Sequence, residues 1–555
     1  MDNKISNIIE HMPTEEKKEE SSNDKTIALS EVTHKLISSL KEIKPRHPVD
    51  DYTKLTVSQT ASFLALVYEK VRNAIEYRED HLIRRAAIER IFKRRLSLNS
   101  AGKNEAENIL RELMWARYFA NGSLGEYDIK EVQKLIDKYL TLKQKLLTGR
   151  NSKTLHFLST FLMDLFTAEL EEYLNPEESH IESNLTYFIF QTIREKVKIE
   201  DTDEKQKDTF LFIAIEKAYR KSDIAYQRYH LFRLFYKPIT EYSSSEDEDV
   251  IAKLPTIFKK IDELIDNPTV EKLVRFARKQ LPPYLILFNI VRQHKEKIED
   301  ILPNKVTLWT NVEQTAREKY SQLRSRLNTL AFRSLIYIFL TKMIFAIILE
   351  VPLSQLIYGH ISYLAIGINS LFPPLLMLII ILSVSIPGED NTKRIYFRIL
   401  EIINADPTFE KTVALITKKA KYKRPLLVAG FTILYTSTFL VTLYCIHLIL
   451  RMIEFNLLSE ALFIFFISVV AFFAYRIKQL ANMYRLTEKG SVFGPFVDFF
   501  FMPILSLGKV FSEGVSKINF FILIFDFIIE APFKLIVEVI EEWISFVRQK
   551  KEEIV

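Results

Sequence analysis

The sequence predicts an all-α protein: a large helical cytoplasmic bundle, then a polytopic α-helical membrane region that closes with amphipathic C-terminal helices. Three observations predict it. Only four glycines (Gly102, Gly122, Gly125 and Gly149) precede residue 331, each near a break between helix-forming stretches, which leaves little room for the tight turns of a sheet. Beyond residue 331 the Lys-, Arg-, Glu- and Leu-rich composition gives way to runs of Ile, Leu and Phe, so the mean hydropathy of +0.03 averages two solvents. Four of those runs reach the roughly 20 residues needed to cross a hydrocarbon core.

In chain order, residues 1–26 form a charged, Ser- and Asn-rich stretch without the apolar core of a signal peptide, and read as a disordered tail. Residues 27–330 form the helical cytoplasmic region, with helices expected at 56–99, 105–121, 127–148, 152–174, 182–199, 207–237, 250–265, 268–295 and 305–330. In the helix from 127, Ile129, Val132, Leu135, Ile136 and Leu140 mark one apolar face at helical spacing. Asn175-Pro176 ends the helix before it, and the run SSSEDEDV (243–250) reads as a solvated acidic linker. The segment 305–330 enters the first apolar run without Pro or Gly, so one helix is expected to link bundle and membrane.

Residues 331–490 hold the spans, at about 333–352, 364–386, 426–450 and 457–475. Basic residues orient them. Nine lie between spans two and three, in 387–424, whereas 353–363 has none and 451–456 has only Arg451. This alternation puts both termini in the cytoplasm and makes the lipid bilayer, with its anionic headgroups, the first partner. The net charge of +6 reflects those flanks, and no nucleic-acid partner is predicted. Residues 491–555 contain 494–511, apolar but broken by Gly494, Pro495, Pro503 and Gly508. Then 518–547 carries Asp526, Glu530, Lys534, Glu538 and Glu542 at i+4 steps, a polar stripe on an apolar helix. Both read as interfacial or re-entrant elements. A deeper hairpin preserves the same topology, so four and six crossings both stand.

Three passages together carry a resemblance: REDHLIRRAAIERIFKRRL (78–96), RELMWARYFANGSL (111–124) and DFIIEAPFKLIVE (526–538). They are similar to segments of bacterial integral membrane proteins that join a helical soluble region to a C-terminal membrane bundle. The resemblance implies a bacterial inner-membrane setting and carries no activity.

The chain has no Walker A loop, GxGxxG, HExxH or GxSxG motif, and no cofactor is called for. A lone Cys445 excludes an intramolecular disulfide and any cysteine-based metal site. The basic run Arg84, Arg85, Arg90, Lys93, Arg94, Arg95 spreads around its helix and reads as solvated charge or internal pairs with Glu79, Asp80 or Glu89. Glu177, Glu178, His180 and Glu182 read as acidic surface, not a metal site.

The membrane positions that stand out are polar. Lys342 lies about nine residues into the first span, roughly 13 Å along it. A Lys near mid-span costs around 2.5–3.5 kcal/mol to insert, so it needs a partner, water or a function. Glu350 is eight residues on, a rise of about 12 Å that places it out of reach. Asp526 or Glu530 of the tail is the expected partner. Asn369 precedes Pro373-Pro374, a break of the kind that marks transporter sites but also a simple kink. Thr438 and Thr442 lie at i, i+4 in the third span and read as packing positions. The expected function is a non-catalytic membrane-anchored scaffold with protein partners on its cytoplasmic helices. The alternatives are a transporter or channel subunit, which needs homo-oligomerisation to enclose a path, and a membrane-bound enzyme.

Overall fold

The computed structural model describes residues 26–43, 53–73, 79–147, 152–200, 202–238, 241, 244–359, 361–382, 384–404, 414–416, 425–486 and 502–511, with scattered positions between 536 and 547. The described residues are 84% helical with almost no strands.

The bundle opens with α1 (Glu31–Lys41), α2 (Gln59–Asn73) and α3 (Asp80–Leu98). The helices expected from the sequence begin at 56, so α1 adds to them; Ser30 caps its N-terminus by accepting from Thr33 N. The single helix expected over 56–99 is two helices. Next come α4 (Glu105–Trp115), α5 (Glu126–Leu147), α6 (Ser152–Leu174) and α7 (Pro176–Arg194), whose first position is the proline that suits a helix start. Gly102, between α3 and α4, sits at φ +63°, and a Cβ there would lie 2.5 Å from Leu140 Cδ1. The predicted face of α5 is the buried one, with Val132, Leu135, Ile136, Tyr139, Leu142 and Leu146 turned inward.

After β1 (Val197–Ile199), α8 (Glu204–Ile215) runs into a π-helical turn, Glu216–Arg220, and then α9 (Ile224–Phe235). The helix expected over 207–237 breaks here because Lys221 takes a left-handed conformation and Asp223 caps α9 by accepting from Tyr226 N. The bundle continues with α10 (Ser244–Ile265), α11 (Pro268–Gln293) and the short α12 (Ile298–Ile301). The acidic run expected as a linker forms the start of α10.

Then α13 (Lys305–Phe345), a π-helical turn (Ala346–Glu350) and α14 (Val351–Tyr358) form one rod of 54 residues, about 80 Å long. Its first third packs into the bundle through Leu308, Val312 and Ala316, and its last third is apolar enough to cross a membrane. The expected continuous helix is present. Among the described residues the other apolar helices of spanning length are α15 (Tyr363–Leu382), α17 (Pro425–Met452) and α18 (Leu457–Ala481). A shorter apolar helix, α19, covers Met502–Phe511.

Between α15 and α17 lies α16 (Glu389–Asn404), which the basic-loop reading of this stretch passes over. Ile395, Ile399, Ile402 and Ile403 recur at helical spacing, and all are buried in the same core as the N-terminal bundle. Thr33 Oγ1 donates to Ile403 O at 2.9 Å, the Tyr396 hydroxyl donates to Lys305 O at 3.1 Å, and Arg398 Nη2 donates to Gln280 Oε1 at 3.0 Å. Just beyond it, β2 (Ala414–Ile416) pairs in parallel with β1. Within the connection between the second and third spans, α16 is thus part of the core of the bundle.

Candidate functional site

The residues that membrane physics marks as costly converge at the end of the spans farther from the bundle. Lys342, Glu350 and Asn369 are each 0% exposed. Lys342 Nζ lies 3.4 Å from Glu350 Oε2, and the ammonium also sits over the Phe466 ring, 4.6 Å from its centroid. Asn369 Nδ2 donates to Glu350 Oε1 at 2.7 Å and to Ser459 O at 3.2 Å. The rod of α13 and α14 is thereby joined to α15 and α18.

The expectation that Glu350 is beyond reach of Lys342 is corrected here. The π turn over 346–350 takes five residues where an α turn takes about four, so the chain advances less per residue. Glu350 also leans back toward the helix N-terminus, as helical side chains do, while the long lysine extends forward to meet it. Asp526 and Glu530, the partners expected from the tail, lie outside the described residues.

A second set of polar contacts surrounds this one. Asn456 accepts from Ser459 N at 2.8 Å, capping α18, and donates through Nδ2 to Ser354 Oγ at 3.1 Å. His447 Nδ1 lies 2.8 Å from both oxygens of Glu460, tying α17 to α18. Pro373 and Pro374 are buried one turn beyond Asn369, inside an otherwise regular α15. Asn369 Oδ1 and Ser370 Oγ are buried without a hydrogen-bond partner among the described residues. Thr438 is not in this cluster: its hydroxyl donates to Leu434 O at 2.9 Å in its own helix, and Thr442 on the same helix is half-buried.

The bundle holds its own buried charge network, which the sequence does not announce because its members are scattered over α6, the first π turn and α9. His230 lies 2.8 Å from Glu172 Oε1 through Nε2 and 2.9 Å from Glu216 Oε2 through Nδ1. Only the imidazolium donates from both nitrogens. Arg220 Nη1, 3.2 Å from Nε2, is then a neighbour and not a donor to it. Burial alone would push His230 down, but Glu216 and Glu172 outweigh it and hold it at about 9. Burial likewise favours neutral Glu216 and Glu172, and the surrounding cations, His230 first, bring each down to about 2.

The basic run of α3 is neutralised within the fold. Arg84 pairs with Glu171 at 2.7 Å, Arg85 with Glu89 and Asp223 at 3.0 and 2.9 Å, and Arg90 with Glu69 at 3.0 Å. Arg94 and Arg95 both reach Glu112. The expected acidic surface near His180 also pairs outward, Glu177 with Lys295 and Glu178 and Glu182 with Arg292. Among the described residues no group of three or more His, Cys, Asp or Glu side chains is placed to hold a metal.

Comparison of the chain with protein-family models, curated proteins and solved structures finds no match.

Proposed function

We propose that this chain is a membrane-anchored helical scaffold without catalytic chemistry, its bundle facing the cytoplasm of a bacterial cell and its spans in the inner membrane. The observation that carries this reading is α16. A loop between two spans that supplies core isoleucines to the soluble bundle, together with the α13 rod, holds bundle and spans as one body. Such a body presents a fixed helical surface at a fixed height above the bilayer, which is what a docking platform needs. Anionic headgroups are its lipid partners and proteins of the cytoplasm its protein partners.

A second reading, a transporter or channel subunit, draws support from the meeting of two irregular spans. Glu350 closes the π turn of the first span and Asn369 lies one turn before the Pro-Pro step of the second, and broken helices that meet around polar groups are a feature of transport sites. Reconstitution of the purified full-length chain into liposomes separates the two. The scaffold reading expects ion and solute flux equal to protein-free vesicles, with photo-crosslinks to discrete cytoplasmic proteins from probes on the bundle surface. Flux that scales with protein content and disappears in Glu350→Gln replaces it with the transport reading.

A further inference from the structure

An α-helix satisfies each carbonyl with the N–H four residues later. Proline has no N–H, so Pro373 and Pro374 remove the helical donors that would serve the carbonyls of Asn369 and Ser370. On the same two residues, Asn369 Oδ1 and Ser370 Oγ are buried without partners. Asn369 commits both amide hydrogens, to Glu350 Oε1 and to Ser459 O, so its own oxygen offers only lone pairs. One turn of the second span therefore carries an excess of oxygen acceptors, in a region where lipid supplies no donors. Ser370 has one hydroxyl hydrogen to contribute, which leaves the excess in place.

We propose that this turn binds a small monovalent cation, with Na⁺ as the best fit, through the oxygens of Asn369 and Ser370 and with Glu350 supplying the compensating charge. Carbonyl, amide and hydroxyl oxygens are hard donors suited to alkali and alkaline-earth ions, and no nitrogen or sulfur ligand stands in the set to select a transition metal. The charge available decides the valence. Among the described residues Glu350 is the one carboxylate in contact with Asn369; its single charge matches a monovalent ion that takes the place of Lys342, whereas a divalent ion would bring more charge than the site offsets. Lys342 acts as the internal competitor. Its ammonium holds the carboxylate when the cation is absent and rests on Phe466 when the carboxylate turns to the ion. This inference goes beyond both functional readings, because a resident ion is a structural element in a scaffold and cargo in a transporter.

The test uses the purified full-length protein in nanodiscs. Thermal unfolding is followed in NaCl against choline chloride at equal ionic strength, and retention of radioactive Na⁺ is measured directly. The expected result is a saturable rise in Tm with Na⁺ that choline does not give, with Na⁺ retained near one per chain. Ser370→Ala should weaken Na⁺ affinity at least tenfold, whereas Ser437→Ala, on the exposed face of the third span, should leave it unchanged. Lys342→Met should tighten it, because the competitor is gone, and Na⁺ should then rescue a larger part of the stability that this variant loses in choline. Equal Tm in both salts with no retained Na⁺ overturns the proposal and leaves the acceptors to water. A Na⁺ effect of equal size in the wild-type, Ser370→Ala and Ser437→Ala proteins overturns it as well, since that is a surface salt effect. Because these readouts need no transport, their outcome is independent of whether the liposomes pass ions.

Discussion

Lys342 and Glu350 lie eight residues apart on one helical rod and still meet, Nζ to Oε2 at 3.4 Å, with neither side chain exposed. A π turn between them brings the carboxylate back, and Asn369 from the next span holds it from the other side. Each group removes the other's reason to be costly in lipid, and the three together join two spans.

That relationship predicts energetic coupling. In a cycle of Lys342→Met and Glu350→Gln, read as detergent stability of the full chain, each single change should be more damaging than its share of the double change. The coupling should reach about 1 kcal/mol or more, as for groups in direct contact in one network. The corresponding cycles of Lys342→Met with Asp526→Asn or Glu530→Gln test the tail partners expected from the sequence. Additivity with Glu350 and coupling with either tail carboxylate would reverse the assignment.

The buried His230 cluster predicts a pH dependence of opposite sign at its two ends. The folded His230 titrates at about 9, above its ordinary value of 6.5, so its contribution is complete below about pH 6.5 and is lost as pH rises through 9. Glu172 and Glu216 titrate at about 2, below their ordinary 4.5, so their contribution is complete above pH 4.5 and lost as pH falls through 2. Unfolding of the bundle, followed by circular dichroism, should show the cluster at full strength between about pH 4.5 and 6.5. His230→Phe should flatten the alkaline limb and cost several kcal/mol at neutral pH, because it leaves two buried carboxylates with Arg220 as the one remaining cation of the cluster that they share. An unchanged alkaline limb in that variant would remove His230 from the account.

Asn391 is a knot between the helical bundle and the apolar helices. Its Nδ2 lies 2.8 Å from both the Tyr320 hydroxyl and Tyr484 O, and its Oδ1 accepts from Leu486 N at 2.8 Å, so α13, α16 and the segment after α18 meet on one side chain. Asn391→Ala should cost about 1–3 kcal/mol by stranding half-buried polar groups. It should also expose the segment 482–486 to limited proteolysis while α13 stays intact. Tyr320→Phe removes one of the three contacts and should show a smaller effect of the same kind. Equal protease resistance in the wild-type and both variants would show that packing alone holds the junction.

The orientation of the spans is tested by thiol chemistry. In a Cys445→Ser background, single cysteines placed in 353–363 should react with an impermeant reagent on intact cells. Cysteines on the exposed face of α16 should react only after permeabilisation. The opposite pattern would invert the topology.

Much of this protein was decided by composition and spacing. Apolar runs of spanning length, the scarcity of glycine and the 3.6-residue recurrence in segments such as 126–147 are local properties, and the helices follow from them. Lys342 and Asn369 stood out for the same reason, since a charge or an amide in lipid is costly wherever it sits. The rise argument that set Glu350 aside failed because it assumed a regular helix, and a π turn is a tertiary compromise with no residue code of its own. Helix α16 was legible in principle from the spacing of Ile395, Ile399, Ile402 and Ile403, but the nine basic residues of 387–424 masked the pattern. The sites of Glu172, Glu216 and His230 were not legible at all. Their meeting depends on how α6, the first π turn and α9 pack, and the free energy that selects that packing belongs to the whole buried core, not to any segment of it.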